Sequence, residues 1–156
     1  MTLSANSYGT VTQVTAKVPR YASNGEFNLL TRPTYSQVET WIDQTSALIN
    51  VILAQEGFTI PVTQTDAKSM LAGLVVSACA DRAEFANRSG RFFSEVSIER
   101  GVSMEKVLRE EISAWISDHA DGLEALGADR EGTDETNKTF SHTPIKSDGY
   151  HDYAES

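Results

Sequence analysis

One stretch of this sequence carries both ends of a helix and the apolar stripe between them. Thr34 and Gln37 have the spacing of a capping box, in which each side chain bonds a backbone N–H that the first helical turn leaves unpaired. Gly57 can adopt the left-handed conformation that ends a helix, and Pro61 prevents its continuation. We therefore predict a helix over 35–56. Its apolar face consists of residues at three- and four-residue spacing: Val38, Trp41, Ile42, Thr45, Leu48, Ile49, Ile52 and Leu53.

A second helix is predicted over about 66–86, with Thr65 as its N-cap. It combines a broad apolar face with many small residues, which allow neighbouring elements to approach closely on several sides. Cys79 is the one cysteine of the chain, and it lies on this helix in an apolar context where cysteine usually behaves as a small buried hydrophobe. We predict that Cys79 is a core residue, since its sequence neighbours include no histidine that could activate a thiol.

A third helix is predicted to begin after Ser103 and to run to about His119, with Leu123 and Leu126 available for a continuation past Gly122. The sequence thus predicts an all-α fold, a small bundle of three main helices. Residues 1–33 form an N-terminal arm, residues 34–126 the helical core, and residues 127–156 an extended C-terminal tail.

The N-terminal arm contains a second capping box, formed by Thr10 and Gln13. Valines follow at helical spacing, but Val14, Ala16 and Val18 also alternate as in a strand. We favour a short helix that ends before Pro19, over a hairpin. Asn24-Gly25 is a turn signal that would also suit a hairpin tip, and the rest of 20–32 is predicted to be a loop.

The charged residues of the predicted helices are expected to lie on solvated faces. Glu39 and Asp43 fall outside the apolar stripe of the first helix, and Glu84 has a helical neighbour of opposite charge in Arg88. Thirteen basic and 22 acidic residues give a net charge of −9. A chain this acidic does not gain the counterion release that drives binding to nucleic acid, so a DNA-binding role is disfavoured. Such a protein can still stand beside DNA without adhering to it, since like charges repel.

No grouping of residues indicates catalysis, and we predict no enzyme activity, no cofactor and no metal site. His142, Asp148 and His151 lie in the tail without the tight spacing of metal ligands, and His119 is interpreted as a helix-terminal residue. The sequence has no run of apolar residues long enough to cross a membrane, and its N-terminus does not resemble a signal peptide. We therefore expect no membrane partner and synthesis in a cytoplasm.

Five aromatic residues are candidates for binding a protein partner. Phe92 and Phe93 follow Arg91 outside the helical pattern and are either a core plug beneath a loop or an exposed anchor. The tail cannot bury enough apolar surface to fold alone, so we expect it to order only on another chain. Its isolated aromatics are typical of a peptide that folds onto a partner, namely Phe140, Tyr150 and Tyr153.

The segment from about Ser7 to Thr63 resembles the small head–tail adaptor, or connector, proteins of tailed bacteriophages. The resemblance rests on Ser7-Tyr8-Gly9-Thr10-Val11, Pro19-Arg20-Tyr21, Arg32-Pro33-Thr34, the Ile42-Asp43 pair in the capped helix, and the Gly57-Phe58-x-Ile60-Pro61 exit. The C-terminal half has no specific match to that family.

The resemblance implies a structural virion protein of the neck, at the head–tail interface. Such adaptors form a ring, typically of twelve copies, below the portal protein, and they receive the next neck, stopper or tail protein. Genomic DNA would pass through the ring without sequence-specific binding. The tail, residues 127–156, would then be an arm that binds the portal or a neighbouring copy. The alternative is a small acidic helical binding or regulatory module that docks to a basic partner, and the third hypothesis is an enzyme with an unrecognised site.

Overall fold

Four α-helices and one short 3₁₀ turn make up the regular structure of the residues that the computed structural model describes, 2–87 and 104–131. The helices are α1 (Val11–Lys17), α2 (Tyr35–Gln55), α3 (Thr65–Asn87) and α4 (Met104–Ala125), and the 3₁₀ turn is Pro19–Tyr21. The predicted all-α class is confirmed for this part of the chain. None of its helices has the length and apolar content to cross a bilayer.

Both predicted capping boxes are formed. The Thr10 hydroxyl accepts a hydrogen bond from the Gln13 N–H, and the Gln13 side chain accepts one from the Thr10 N–H, so α1 is a helix rather than a strand. Thr34 and Gln37 make the same reciprocal pair at the start of α2. These bonds satisfy donors that the first helical turn leaves unpaired.

The helix ends differ from the predictions by one or a few residues. Gln55 is the last residue of α2, Glu56 is its C-cap, and Gly57 has the expected positive φ of +85°. Thr65, predicted as an N-cap, is already the first residue of α3. The last helix continues past Gly122 because the residue that follows it, Leu123, is fully buried and extends the apolar stripe.

The loop after the 3₁₀ turn contains the predicted Asn24-Gly25 turn. Both residues have positive φ, 52° and 81°, as the tight turn at a hairpin tip requires. The flanking residues, Ser23 and Glu26, exchange two backbone hydrogen bonds of 2.9 and 3.1 Å. The hairpin is confined to this single bridge, because α1 precedes it and no long strand is present in the described residues.

The helices α2 and α3 each contact all three of the other helices, and α3 is the one rich in small residues. Its small buried residues, among them Ala67, Ala78 and Ala83, allow these approaches from several sides. Cys79 is fully buried, as predicted. The two tryptophans, Trp41 and Trp115, are partly buried against the same core.

The N-terminal segment lies along a polar edge of α2 that the sequence analysis interpreted as solvated. Asp43 accepts hydrogen bonds from the Ser4 N–H at 3.1 Å and from the Ser7 hydroxyl at 2.5 Å. Glu39, one turn before Asp43, is only 4% exposed, so the prediction of a solvated face was wrong there. At Asp43 the physical reason is that residues far apart in the sequence, Ser4 and Ser7, lie against this edge of α2.

Ion pairs also form between elements that are far apart in the sequence. Glu84 pairs with Arg20 of the 3₁₀ turn, and the Tyr21 hydroxyl lies 3.4 Å from its carboxylate. Arg88, the helical neighbour predicted to pair with Glu84, lies outside the described residues. The guanidinium of Arg20 also lies over the ring of Tyr21. The Pro19-Arg20-Tyr21 step is therefore fastened to α3.

The segment after α4 closes against the end of α2. The Thr59 N–H donates to the Asp129 carbonyl at 2.8 Å, and the Glu131 N–H donates to the Gly57 carbonyl at 2.6 Å. Between them, Arg130 Nε donates to the Glu56 carbonyl at 2.8 Å. The guanidinium also lies over the ring of Phe58, 5.3 Å from its centroid. Packing against the core thus extends to Glu131.

Candidate interaction surfaces

The five aromatic residues predicted to bind partners lie outside the described residues. Phe92 and Phe93 belong to 88–103, and Phe140, Tyr150 and Tyr153 belong to 132–156. Their roles remain predictions. The tail histidines and Asp148, which were interpreted as scattered rather than metal-binding residues, also lie there.

The potentially reactive side chains of the described residues are held in structural roles. Cys79 is buried, and burial raises the pKa of its thiol to about 11, although the nearby Arg82 charge partly opposes the shift. His119 stacks on Trp115 with 4.3 Å between ring centroids, and its Nδ1 lies 2.8 Å from the Trp115 carbonyl oxygen. Across 2–87 and 104–131, no three His, Cys, Asp or Glu residues are grouped so as to hold a metal ion.

The most conspicuous surface feature is a pair of leucines at the tip of the loop between the 3₁₀ turn and α2. Leu29 and Leu30 are 91% and 93% exposed, whereas the other large exposed apolar residues of the described part lie between 41% and 55%. Burying a leucine is favourable by about 1.5–3 kcal/mol. Two adjacent leucines in water therefore contribute nothing to the stability of the isolated chain.

A set of side-chain hydrogen bonds holds these leucines in place. Asn28 Oδ1 accepts from the N–H groups of Leu30 and Thr31 at 2.7 and 3.1 Å. In return, the Asn28 N–H donates to Thr31 Oγ1 at 2.8 Å. Such local bonds from asparagine and threonine define a turn without help from a helix or sheet. We call residues 28–31 the leucine turn.

Both sides of the leucine turn are anchored to the core. Phe27 and Thr31 are buried, at 3% and 8% exposure. After the turn, the Arg32 carbonyl accepts a hydrogen bond from the Asn87 side chain at 2.6 Å, which fastens this end to the last residue of α3. The Arg32 side chain itself is exposed. The leucine turn is therefore a fixed projection with one basic residue beside it.

A second surface lies on α4, opposite its buried face. Residues at four-, three-, four- and three-residue spacing share one side of a helix. On α4 this side is exposed and combines two apolar residues with three carboxylates, and we call it the outer stripe: Val107, Glu111, Ala114, Asp118 and Asp121. Val107 is 41% exposed. The outer stripe is therefore an acidic surface interrupted by small apolar side chains.

The leucine turn lies in the segment that was predicted to be a loop, and it was not among the residues predicted to bind a partner. The sequence contained an indication of this surface, since Asn28 and Thr31 flank two leucines that do not belong to any predicted apolar face.

Comparison of the chain with protein-family models, with curated proteins and with solved structures finds no match in any of the three.

Proposed function

We propose that this protein is a structural head–tail adaptor of a tailed bacteriophage, in which a ring of copies below the portal extends the DNA channel and connects the capsid to the neck and tail. The leucine turn is the structural observation that carries an assembly role, since a rigid projection of two exposed leucines suits binding to a protein. The choice of adaptor rests on the sequence resemblance.

The segments that carry the resemblance each contact another part of the helical fold. Tyr8 lies on α2, Arg20 is fastened to α3, and the Gly57–Pro61 exit is paired with the segment after α4. These segments are therefore joined to the same helical unit by hydrogen bonds or ion pairs. The potentially reactive side chains described above have structural roles, which is compatible with a scaffold rather than an enzyme.

The net charge of −9 supports the proposed passage of DNA. An acidic ring repels the phosphate backbone, so DNA would slide through without adhering. In this proposal the tail from residue 132 onward is the arm that reaches the portal or a neighbouring copy. The ring copy number, about twelve, comes from the resemblance alone.

The test is to locate the protein in purified particles of the phage that encodes it. We expect mass spectrometry to find it in virions, and cryo-electron microscopy to place a ring of it directly below the portal. A variant lacking 132–156 should fold but fail to incorporate. Absence of the full-length protein from purified virions would overturn the proposal.

The alternative, a small acidic module that docks to a basic partner, is favoured by one feature, the outer stripe of α4. Capture of the protein from infected cells distinguishes the two proposals. If the alternative is correct, the protein should be recovered in a soluble complex with a basic protein. If the protein is an adaptor, it should be recovered as a ring bound to particles.

A further inference from the structure

We propose that the leucine turn of one copy docks on the outer stripe of α4 in a second copy. The inference rests on the proposed function, because this contact would join neighbours within the ring. It adds the two surfaces that meet and the chemistry that selects them.

The leucine turn has the properties of a preformed anchor. Its two side chains are almost fully exposed, and the hydrogen bonds of Asn28 and Thr31 hold the backbone that presents them. An anchor that is rigid before binding loses little conformational entropy when it docks. Almost none of the apolar surface of Leu29 and Leu30 is buried within the described residues, so it is available for contact with another molecule.

Charge complementarity identifies a second copy as the partner. Arg32 is exposed and lies two residues after Leu30, at the base of the turn. The outer stripe of α4 presents Glu111, Asp118 and Asp121 around the small side chain of Ala114. Leucines can cover Val107 and Ala114 while the guanidinium faces the carboxylates, an arrangement that favours correct over incorrect docking.

The symmetric alternative, in which two leucine turns meet tip to tip, offers Arg32 none of the carboxylates that the outer stripe presents, so charge complementarity favours the outer stripe. The proposed contact joins two different surfaces, so each copy keeps one of each available for the next neighbour. Contacts of this head-to-tail kind generate closed rings or open filaments. Two leucines and a salt bridge form a small interface, so one such contact should be weak. A closed ring contains one contact between each pair of neighbours, and these contacts together should stabilise it.

The first experiment measures self-association of the full-length protein by sedimentation velocity over a concentration series. We expect the wild type to associate with rising concentration, and the double variant Leu29→Ser/Leu30→Ser to have a dissociation constant at least about tenfold higher, since buried apolar anchors dominate interfaces. Val51→Ser is the matched control, because Val51 is an exposed aliphatic residue, 55% accessible, on another surface. Circular dichroism verifies that all three proteins remain folded.

The second experiment exchanges charges between the two surfaces. Arg32→Glu and Asp118→Arg should each weaken self-association, whereas an equimolar mixture of the two variants should regain it. In the mixture every contact between unlike variants pairs opposite charges, at position 32 of one copy and position 118 of the other. If the substitutions merely damaged the two surfaces, the mixture would keep one native contact, Arg32 of the Asp118→Arg variant on Asp118 of the Arg32→Glu variant, and would stop at dimers. Association beyond the dimer requires the exchanged Glu–Arg pair as well, so sedimentation of species larger than a dimer is the specific readout.

Several outcomes would overturn the inference. These are a wild type that stays monomeric at every concentration, a leucine variant that associates like wild type, or a charge-swapped mixture that remains dissociated. Each leaves the adaptor proposal to be decided by the virion experiment. Conversely, intact self-association together with absence from virions would overturn the adaptor proposal and retain the contact.

Discussion

The phenol of Tyr8 donates a hydrogen bond to Asn50 Oδ1 at 2.6 Å. The phenol oxygen of Tyr8 accepts a hydrogen bond from the Val62 N–H at 3.0 Å, and the backbone N–H of Tyr8 donates to Ser46 Oγ at 2.9 Å. One side chain therefore joins the N-terminal segment, α2 and the chain that leaves α2. Because Tyr8 is 1% exposed, burial raises the pKa of its phenol, although the Val62 N–H opposes this shift.

Replacing Tyr8 by Phe should destabilise the fold, because it leaves the buried Val62 N–H and the Asn50 side chain without their partner. We expect the free energy of unfolding in urea to fall by about 1–3 kcal/mol. Tyr35→Phe is the matched control, since Tyr35 is 47% exposed at the start of α2. Equal effects of the two substitutions would show that the Tyr8 network contributes nothing specific.

The capping box of α2 provides a second stability test. Thr34→Ala removes the hydroxyl that accepts the Gln37 N–H, and should cost about 1 kcal/mol in the free energy of unfolding. Thr40→Ala is the control, because Thr40 bonds back to the Ser36 carbonyl inside the helix and caps nothing. Urea denaturation compares the two variants, and a Thr34 variant no less stable than the control would contradict the assignment.

The contacts between residues 128–131 and the end of α2 predict where the chain can be shortened. A protein ending at residue 131 keeps the buried Ala128, the Asp129 carbonyl bonded to Thr59, and Arg130 against Glu56. We expect its melting temperature to match that of the full-length chain.

A protein ending at residue 126 loses all three contacts and should lose about 1–3 kcal/mol of stability, as removal of a buried network does. Thermal melts of the two truncations, with hydrogen exchange of the Thr59 amide, measure the difference. Equal melting temperatures would show that residues 127–131 add no stability.

Burial of Cys79 predicts an unreactive thiol. At pH 8 the native protein should react with a thiol reagent only as fast as it unfolds, whereas the protein in denaturant should react at once. Val76, one turn earlier on α3, is a matched position, because it is 5% exposed and Val76→Cys should also be protected. Rapid labelling of native wild type would contradict the buried assignment.

The shifted pKa of Cys79 also predicts a pH dependence of stability. Below about pH 8.5, the pKa of a thiol in the unfolded chain, Cys79 is neutral in both the folded and the unfolded protein. In this pH range its burial therefore makes its full contribution to the free energy of unfolding. As the pH rises, the unfolded thiol ionises first, and the free energy of unfolding falls until the native thiol ionises at about 11. Cys79→Ala should therefore show a shallower decline over this range. Parallel curves for the two proteins would contradict the shift.

The local features of this protein could be predicted from the amino-acid sequence. Both capping boxes, the apolar stripe of α2, the Asn24-Gly25 turn and the glycine at the end of α2 follow from interactions within a few residues. Short-range hydrogen bonds and helical periodicity depend on spacing alone, so these predictions are confirmed.

The contacts between distant segments could not be predicted in this way and are known only from the folded structure. The spacing of polar residues on α2 predicts a solvated edge, yet the segment around Tyr8 lies along it, and Glu84 pairs with Arg20, which is 64 residues away in the sequence. The exposure of Leu29 and Leu30 also depends on which residues the fold leaves uncovered. Burial and long-range pairing are properties of the packed chain, because they arise from residues separated by tens of positions that periodicity cannot relate.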